Sequence, residues 1–279
     1  MSAVSARSQV IPVKTAAEVE VMRRAGQAVA LALRRVASAC RPGVMTRELD
    51  RIAQVSLEAM GAIATFKGYR GYPASLCVSV NEEVVHGIPG PRRLKEGDLV
   101  SLDLGATLEG LIADAALTVA VGEVSASARR LMQVTREALD RAIVQARPGR
   151  RVRDISAAIQ QCAEGHGYSV VRQLVGHGVG REMHEPPQIP GFVEGGASPR
   201  LRAGMTLAIE PMLNEGDWEI ELDPDGWTYR VRDGSLSAHF EHTVLVGEEG
   251  PEVLTCLPAG REAEGLAEKE APLAPGERG

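Results

Sequence analysis

The sequence predicts an α/β fold that is built from two similar halves. In each half, two amphipathic helices are joined through an Arg-Pro-Gly tripeptide and are followed by short strands that glycine and proline punctuate. The tripeptide occupies Arg41-Pro42-Gly43 and again Arg147-Pro148-Gly149, 106 residues later, and Gly61 and Gly167 repeat that offset. The matched order of elements, more than the tripeptide, indicates an internal duplication. We place the pseudo-repeats at about residues 15–121 and 122–257.

The predicted helices have recognisable ends. Thr15 and Glu18 form a capping box at the start of the first helix, and both tripeptides stop the helices before them. We predict helices from Thr15 to about Cys40, Thr46 to Met60, Ser125 to Ala146 and Val152 to Glu164. The predicted strands of the second half are Ser169–Val175, Met205–Glu210, Trp227–Val231 and His239–Val246.

A hairpin from Val100 to Val121 organises the chain. Its arms alternate apolar with small or polar residues, and the first arm carries Asp103 while the second carries Asp114. With the turn centred between Leu108 and Glu109, the two aspartates become direct cross-strand partners with Cβ atoms roughly 5 Å apart. Two carboxylates in that position repel each other, so we expect a cation between them.

Composition narrows the class of protein. The chain has 279 residues, 24% of them charged, and a net charge of −6, which argues against a dedicated nucleic-acid binder. The four cysteines are far apart and form no C-x-x-C pair, so free thiols in a cytoplasmic protein are expected, with no membrane span. We predict a loose lead-in over 1–14, a single domain over 15–257 and a disordered tail over 258–279.

Further candidate ligands lie in the second half. His177 stands between glycines, which leaves its imidazole accessible, although a histidine in such a place is more often a turn residue. Glu210 closes a largely apolar strand, and a carboxylate there should be paired or bound to metal. Glu241 lies on a strand face with His239 and Thr243, which taken alone is better explained by a half-exposed strand with its polar face in water.

Together, four carboxylates and one imidazole suit a paired site for divalent Mn, Fe, Co or Zn better than one structural zinc. Bridging carboxylates hold two such metals about 3.5–4 Å apart with an activated water, which is hydrolytic chemistry. His86 and His184 remain as further active-site candidates that can donate to a carbonyl oxygen or a leaving amine. Each is also compatible with an ordinary loop histidine.

Five motifs resemble the type I methionine aminopeptidases, in that family's order and over about residues 15–257. They are CVSVNEEVVHGIP, GDLVSLDLGATLEGLIADAALTVAVG, GHGVGREMHEPPQIP, GMTLAIEPML and SLSAHFEHTVLV. The resemblance implies the pita-bread fold, an α/β fold of two pseudo-symmetric halves, each with antiparallel strands and paired helices, around a dinuclear metal site. It makes 15–257 a single catalytic domain.

The resemblance also implies residue roles. The metal ligands match Asp103, Asp114, His177, Glu210 and Glu241, with Asp114 and Glu241 bridging. His86 and His184 match histidines that contact substrate and transition state, and Glu210 matches the proton shuttle of the attacking water. Positions that line the pocket for the methionine side chain match Tyr69, Tyr72, Cys77, Trp227 and Met183, the last of which is often aromatic in the family. Two other departures are Ala115-Ala116, where hydroxyl residues are common, and His239, where glutamine is common.

The implied function is removal of the initiator methionine from nascent polypeptides that have a small second residue. The implied cofactors are two divalent metal ions, Co, Mn, Fe or Zn. The expected partners are nascent N-termini and, transiently, the ribosome, and the expected state is a monomer. One alternative is a Xaa-Pro-type aminopeptidase on the same fold, whose members usually carry a long extra N-terminal domain. The other is a non-catalytic binding module, in which metal ligands are usually lost.

Overall fold

The computed structural model describes residues 10–257. Its helices are α1 Ala16–Ala39, α2 Thr46–Glu58, α3 Ala126–Ile143 and α4 Val152–Gly165. The capping box is confirmed, because the Thr15 hydroxyl accepts the Glu18 amide hydrogen and the Glu18 carboxylate accepts that of Thr15. Helix α3 ends at Ile143, not near Ala146, since the amides of Gln145 and Ala146 donate to carbonyls three residues back and tighten the last turn.

Fifteen short strands lie among and after these helices in the described part of the chain. Those of the first half are β1 Ile63–Ala64, β2 Cys77–Val80, β3 Glu83–Val85, β4 Leu99–Leu108 and β5 Leu111–Ala120. Those of the second half are β6 Ser169–Val170, β7 Gly176–Gly178, β8 Glu185–Ile189, β9 Thr206–Ile209, β10 Met212–Asn214, β11 Ile220–Leu222, β12 Tyr229–Val231, β13 Ser237–His239, β14 Glu241–Val246 and β15 Pro251–Val253.

A nine-stranded antiparallel sheet joins the two halves. Its order is β1-β4-β5-β14-β9-β7-β8, with β2 also paired to β4 and β15 to β14. Two three-stranded sheets, β13-β10-β6 and β11-β12-β3, complete the fold. Strand β14 of the second half pairs directly with β5 of the first, so the middle of the large sheet is where residues from the two halves meet.

The helices cover one face of the large sheet. Leu102 and Leu104 of β4 lie in a buried cluster with α1 and α2, and Val244 of β14 lies in another with α3 and α4. Because successive side chains of a strand point to opposite faces, the residues between these leucines and beside this valine point away from the helices. Asp103 and Thr243 are therefore placed on the open face.

The register of the β4–β5 hairpin differs from our prediction. Asp114 is opposite Gly105, and Asp103 is opposite Ala116, so the two aspartates are diagonal neighbours and not direct partners. The reason is the turn: Glu109 and Gly110 both adopt positive φ, 49° and 79°, and form a two-residue loop centred one residue later than predicted. The resulting shift is two residues, an even number, so both carboxylates keep the same face.

All four strands predicted in the second half are shorter than expected or interrupted. Only Ser169 and Val170 of the stretch 169–175 pair as a strand, and the predicted strand 205–210 is paired over Thr206–Ile209. The strand predicted from Trp227 starts at Tyr229, because the Asp225 carboxylate accepts the amide hydrogens of residues 227 and 228. The stretch 239–246 breaks at Phe240, where the chain passes from the small sheet with β10 to the large sheet. Strands β7, β8, β10, β11 and β15 of the second half were not predicted.

The domain prediction can be compared with the structure at only part of the two chain ends. The tail 258–279 lies outside the described residues, as do residues 1–9 of the lead-in. Lys14, predicted as part of a loose lead-in, is instead buried, and its amide donates to the Gly204 carbonyl oxygen at 2.8 Å. The duplication and the repeat boundaries stay predictions. No helix in the part that the structure describes has the length and apolar character of a membrane span.

Candidate metal centre

One cavity on the open face brings together every site residue predicted from the sequence. It has about 830 Å³ of empty volume, part of it open to solvent. The predicted residues along its wall are Tyr69, Tyr72, Cys77, His86, Asp103, Asp114, His177, Met183, His184, Glu210, Trp227 and Glu241. The structure adds Phe66, Arg70, Val85, Leu174, Val175 and Met212.

Strand register explains how the five candidate ligands meet. Ala116 of β5 is the cross-strand partner of both Asp103 and Glu241, which sets these two carboxylates on either side of it. On the other side of the centre, His177 pairs with Ala208, two residues before Glu210. The ligands therefore come from β4, β5 and β14 at the sheet centre, from β7, and from the residue after β9.

The side chains converge closely. His177 Nε2 lies 3.5 Å from Glu210 Oε1 and 3.8 Å from Asp114 Oδ2. One ligand atom each from Asp114, His177 and Glu241 falls within 4.8 Å of the others. The other ring nitrogen of His177, Nδ1, lies 2.9 Å from the Gly178 carbonyl oxygen. That hydrogen bond fixes the imidazole orientation with Nε2 toward the carboxylates, the arrangement typical of a metal-binding histidine.

The carboxyls of the centre are costly to ionise where they are buried, so a bound cation would stabilise their ionised form. Burial, with Asp114 beside it, raises the pKa of Asp103 well above its ordinary value. Burial and neighbouring carboxyls likewise raise the pKa values of Glu210 and Glu241, and burial raises the pKa of Asp114 to about 6. Burial lowers the pKa of His177 to about 4, so its imidazole is neutral at pH 7 and supplies no compensating charge.

Polar atoms without partners support the same conclusion. Asp103 Oδ1 and Glu241 Oε1 are buried and have no hydrogen-bond partner in the structure. A buried carboxylate oxygen in this condition is costly unless a cation or a donor satisfies it. Four carboxylates and a neutral imidazole, with such oxygens facing inward, fit divalent metal ions.

The carboxylate of Asp114 is held by a hydroxyl from the neighbouring strand. Thr243 Oγ1 donates to Asp114 Oδ1 at 2.9 Å or to the Asp114 carbonyl oxygen at 2.8 Å, and it accepts from the Asp114 amide. Ala115 points into the core with α1 and α2, whereas Ala116 faces the centre without a hydroxyl. Thr243 of β14 thus partly replaces the hydroxyl donor that Ala115-Ala116 lacks.

His239 lies behind the cavity wall. Its side chain is buried, and its Nε2 is 3.9 Å from Glu210 Oε2, too long for a hydrogen bond. Neither ring nitrogen has a hydrogen-bond partner among residues 10–257, and burial lowers the pKa of His239 to about 3. This histidine therefore adds a neutral ring to the surroundings of Glu210.

An apolar recess adjoins the carboxylates. The Tyr72 and Trp227 rings pack edge to face at 5.1 Å, and the Tyr72 hydroxyl donates to the Gly87 carbonyl oxygen at 2.9 Å. That bond turns the polar end of Tyr72 toward the backbone and leaves its ring on the cavity. Cys77 is opposite Asp103 in the β2–β4 ladder, and burial raises the pKa of its thiol, which is therefore neutral and adds apolar surface.

Two histidines flank the cavity. The Tyr69 hydroxyl lies 2.8 Å from His184 Nδ1, and burial lowers the pKa of His184 to about 4. His86 packs against Trp227. Its φ of 61° is a strained backbone conformation for a non-glycine residue, and such strain is often found at functional sites. Both imidazoles are neutral at pH 7, because burial also lowers the pKa of His86 to about 4.

For some residues of the cavity wall, the sequence contains little information that would predict their position there. Phe66 lies in an irregular segment, where no periodicity shows which way a side chain points. Met212 follows Glu210 and Pro211, where the chain changes from the large sheet to a small one, and the switch was not expected. Thr243 did carry a signal, since it shares a strand face with Glu241.

Comparison with known proteins gives the family. The model of metallopeptidase family M24 matches residues 20–248. A methionine aminopeptidase of Clostridium perfringens is 47% identical over 247 residues, 88% of this chain and 99% of that protein. The crystal structure of methionine aminopeptidase from Thermotoga maritima superposes with a TM-score of 0.87 at 49% identity, covering 88% of this chain and all of that one.

A more distant relative shares the fold alone. Xaa-Pro dipeptidase from Bacillus anthracis superposes with a TM-score of 0.70 at 24% identity, and the match covers 88% of this chain but 62% of that longer one. These similarities establish the pita-bread fold and the family relationship. The chain belongs to metallopeptidase family M24 and, within it, to the methionine aminopeptidases.

Proposed function

We propose that this chain removes the N-terminal methionine from polypeptides, with a preference for a small second residue. The observation that carries the proposal is the junction of a five-ligand carboxylate and imidazole centre with an apolar, aromatic recess. Methionine is an unbranched thioether that packs well against aromatic and sulfur-containing side chains. Tyr69, Tyr72, Cys77, Met183 and Trp227 supply such a surface, and Phe66 extends it.

For the cofactor, we propose that Asp103, Asp114, His177, Glu210 and Glu241 would hold two divalent metal ions. When bound, such ions polarise the scissile carbonyl and lower the pKa of a water between them. The oxygen-rich ligand set accepts Co, Mn, Fe or Zn. The chain's own contribution is to fix the ligands on paired strands, whose hydrogen-bonded register limits their movement.

Glu210 is the residue best placed to move a proton. Its side chain is 14% exposed, more than those of Asp114 and His177 beside it, and it borders the cavity. Because its carboxylate borders the space where the substrate would lie, it can take a proton there and pass it to the leaving amine. His184, held at Nδ1 by the Tyr69 hydroxyl, presents Nε2 to the substrate carbonyl, and His86 borders the same space.

Two other functions compete with this one. A Xaa-Pro-type aminopeptidase shares the fold, but the similarity to that branch is at the level of 24% identity, against 47% to 49% for the methionine aminopeptidases. A non-catalytic binding module would not need a complete ligand set, and all five candidate ligands are present here. The monomeric state, the ribosome contact and the cytoplasmic location stay predictions.

The function is tested by methionine release. The full chain, reconstituted separately with Co, Mn, Fe or Zn, is expected to cleave Met-Ala-Ser with a turnover on the order of 1 s⁻¹ or more with at least one metal. A Xaa-Pro peptide without methionine, assayed beside it, should be cleaved far more slowly. Absence of methionine release with all four metals would rule out the proposed activity, and preferential Xaa-Pro cleavage would favour the alternative branch.

Thr243 offers a test of the ligand surroundings. Replacing it with Val keeps the buried volume but removes the hydroxyl that donates to Asp114. Loss of such a hydrogen bond to a ligand typically costs about 10- to 100-fold in metal affinity. Titration with Mn followed by calorimetry measures this change. Thr228→Val is a suitable control, because that hydroxyl bonds to Asp225 away from the centre, and unchanged affinity in Thr243→Val would contradict the expectation.

A further inference from the structure

A buried ion pair connects the start of α1 to the turn that carries His184. The Lys14 ammonium donates to the Glu185 carboxylate, and the two side chains are 1% and 5% exposed. The Lys14 backbone is fixed as well, through its amide hydrogen bond to the Gly204 carbonyl oxygen. The residues lie 171 positions apart in the sequence, so the pair ties two distant segments together.

Glu185 uses its second carboxylate oxygen to close that turn. Oε1 accepts the amide hydrogens of Arg181 at 2.7 Å and Glu182 at 3.2 Å. The turn runs from Val179 to His184 between β7, which carries His177, and β8, which begins at Glu185. His184 is the residue directly before Glu185, so the backbone that positions its imidazole is held at this carboxylate.

Gly180 shows that Lys14 lies tightly against the turn. A Cβ atom on Gly180 would lie 2.1 Å from Lys14 Cε and 2.6 Å from Nζ, closer than real contacts allow. The Lys14 side chain therefore passes over the Gly180 backbone to reach Glu185. A second ion pair, Arg181 with Glu18, joins the same turn to the first turn of α1 near the surface.

The Lys14 ammonium is needed to keep the Glu185 carboxylate buried and bound to the turn. A buried ion pair with one partner removed leaves an uncompensated charge, which is strongly unfavourable. Without the ammonium, the Glu185 carboxylate must find water or a proton, and moving it toward solvent releases the amide hydrogens of Arg181 and Glu182. Both responses change the turn that precedes His184.

We propose that Lys14 is a positioning residue, which acts through Glu185 to hold the turn 179–184 and so keeps His184 aimed at the substrate. The expected fall in activity rests on the proposed function. The expected change in the turn 179–184 rests on the structure alone. Lys14 itself touches no reacting atom. It lies in the segment before the first helix, outside the motifs that carry the family resemblance.

The first variant is Lys14→Met in the full, metal-loaded chain. Since misplacement of a catalytic group by about 1 Å can cost roughly 100-fold, kcat for Met-Ala-Ser is expected to fall by about that factor, with a smaller change in KM. Metal content should stay unchanged. Hydrogen exchange of the segment 179–185 should become faster, because the amides of Arg181 and Glu182 lose their acceptor.

Two further variants separate positioning from general damage. In Lys14→Met/Glu185→Gln no buried charge is left unpaired, and the glutamine carbonyl oxygen can still accept both amide hydrogens. This double variant is expected to recover most of the lost kcat and the slow exchange. Gly180→Ala keeps both charges but displaces the lysine, so it should reproduce the fall in kcat and the faster exchange.

The control is the ion pair of Arg23 with Glu252, which joins α1 to β15 with distances of 2.7 and 3.2 Å. Because this pair is partly exposed, Arg23→Met should stay within about twofold of wild type. Wild-type kcat and exchange in Lys14→Met, or a double variant as impaired as the single one, would overturn the proposal. If the wild-type chain releases no methionine with any metal, the proposed function fails, and the exchange measurements still decide the role of Lys14.

Discussion

Replacing Asp114 with Asn is expected to abolish methionine release while leaving the fold intact. Asp114 has a ligand atom within 4.8 Å of ligand atoms of His177 and Glu241, and it is one of the five proposed metal ligands. An amide is a much weaker ligand than a carboxylate for a hard divalent cation, so at least one metal should be lost. Metal-assisted catalysis is worth several kcal/mol, which corresponds to a fall in turnover of about 10³-fold or more.

The fold should survive this change for two reasons. Asparagine has nearly the same shape as aspartate, and its carbonyl oxygen can still accept the Thr243 hydroxyl hydrogen. The substitution also removes one of four neighbouring buried carboxyls, whose mutual repulsion opposes folding in the metal-free protein. Circular dichroism and thermal unfolding of the metal-free variant should therefore show a native protein at least as stable as wild type.

Turnover of Met-Ala-Ser and metal content by elemental analysis measure the effect. Asp140→Asn is the matched control, because Asp140 is exposed on α3, far from the cavity lining. That variant should retain wild-type activity and metal content. Normal turnover in Asp114→Asn would show that the ligand assignment is wrong.

The sequence predicted those features that depend on local or periodic signals. The capping box at Thr15 and the Arg-Pro-Gly stops placed the helices within a few residues, since caps and breakers act over one turn. Strand alternation placed Asp103 and Asp114 on one face of their hairpin and Glu241 on the strand face opposite Phe240. The residue types then grouped them with His177 and Glu210 as a candidate metal site, although each of these two alone was compatible with a turn or surface position, and the resemblance matched all five to metal ligands.

The features that the sequence did not predict depend on backbone conformation and on contacts between segments far apart in the chain. The hairpin register was set by positive φ at Glu109, a conformation that a residue other than glycine rarely signals. The strand changes at Pro211 and Phe240 depend on which sheet each segment joins, and composition does not encode this locally. The burial of Lys14 depends on Glu185, a partner that only the tertiary structure brings near.

The same buried carboxyls predict how the stability of the metal-free protein depends on pH. Asp103, Glu210 and Glu241 have pKa values raised well above ordinary, so the folded state keeps protons that the unfolded state has released. Where the unfolded state binds fewer protons, the free energy of unfolding falls as pH rises. Each carboxyl that still holds its proton contributes about 1.4 kcal/mol of lost stability per pH unit.

The buried histidines act in the opposite direction, but over a lower range of pH. Burial lowers the pKa values of His86, His177 and His184 to about 4, so these groups make stability rise between pH 4 and the ordinary value of 6.5. At pH 6.5 the unfolded imidazoles are still half protonated, so this slope fades only above about pH 7.5. Thiols with raised pKa values, such as Cys77, become relevant near pH 9. The carboxyls therefore dominate above about pH 7.5.

Urea unfolding of the metal-free protein is expected to show a lower free energy of unfolding at pH 8.5 than at pH 7.5, because the buried carboxyls keep protons that the unfolded chain has released. Metal-loaded protein should show a much smaller slope, because its ligands are deprotonated in the folded state as well. Asp103→Asn removes one of the raised carboxyls and should reduce the slope without metal. Equal or greater stability of the metal-free protein at pH 8.5 would mean that these carboxyls are ionised in the fold, and that their repulsion is relieved by something other than bound protons.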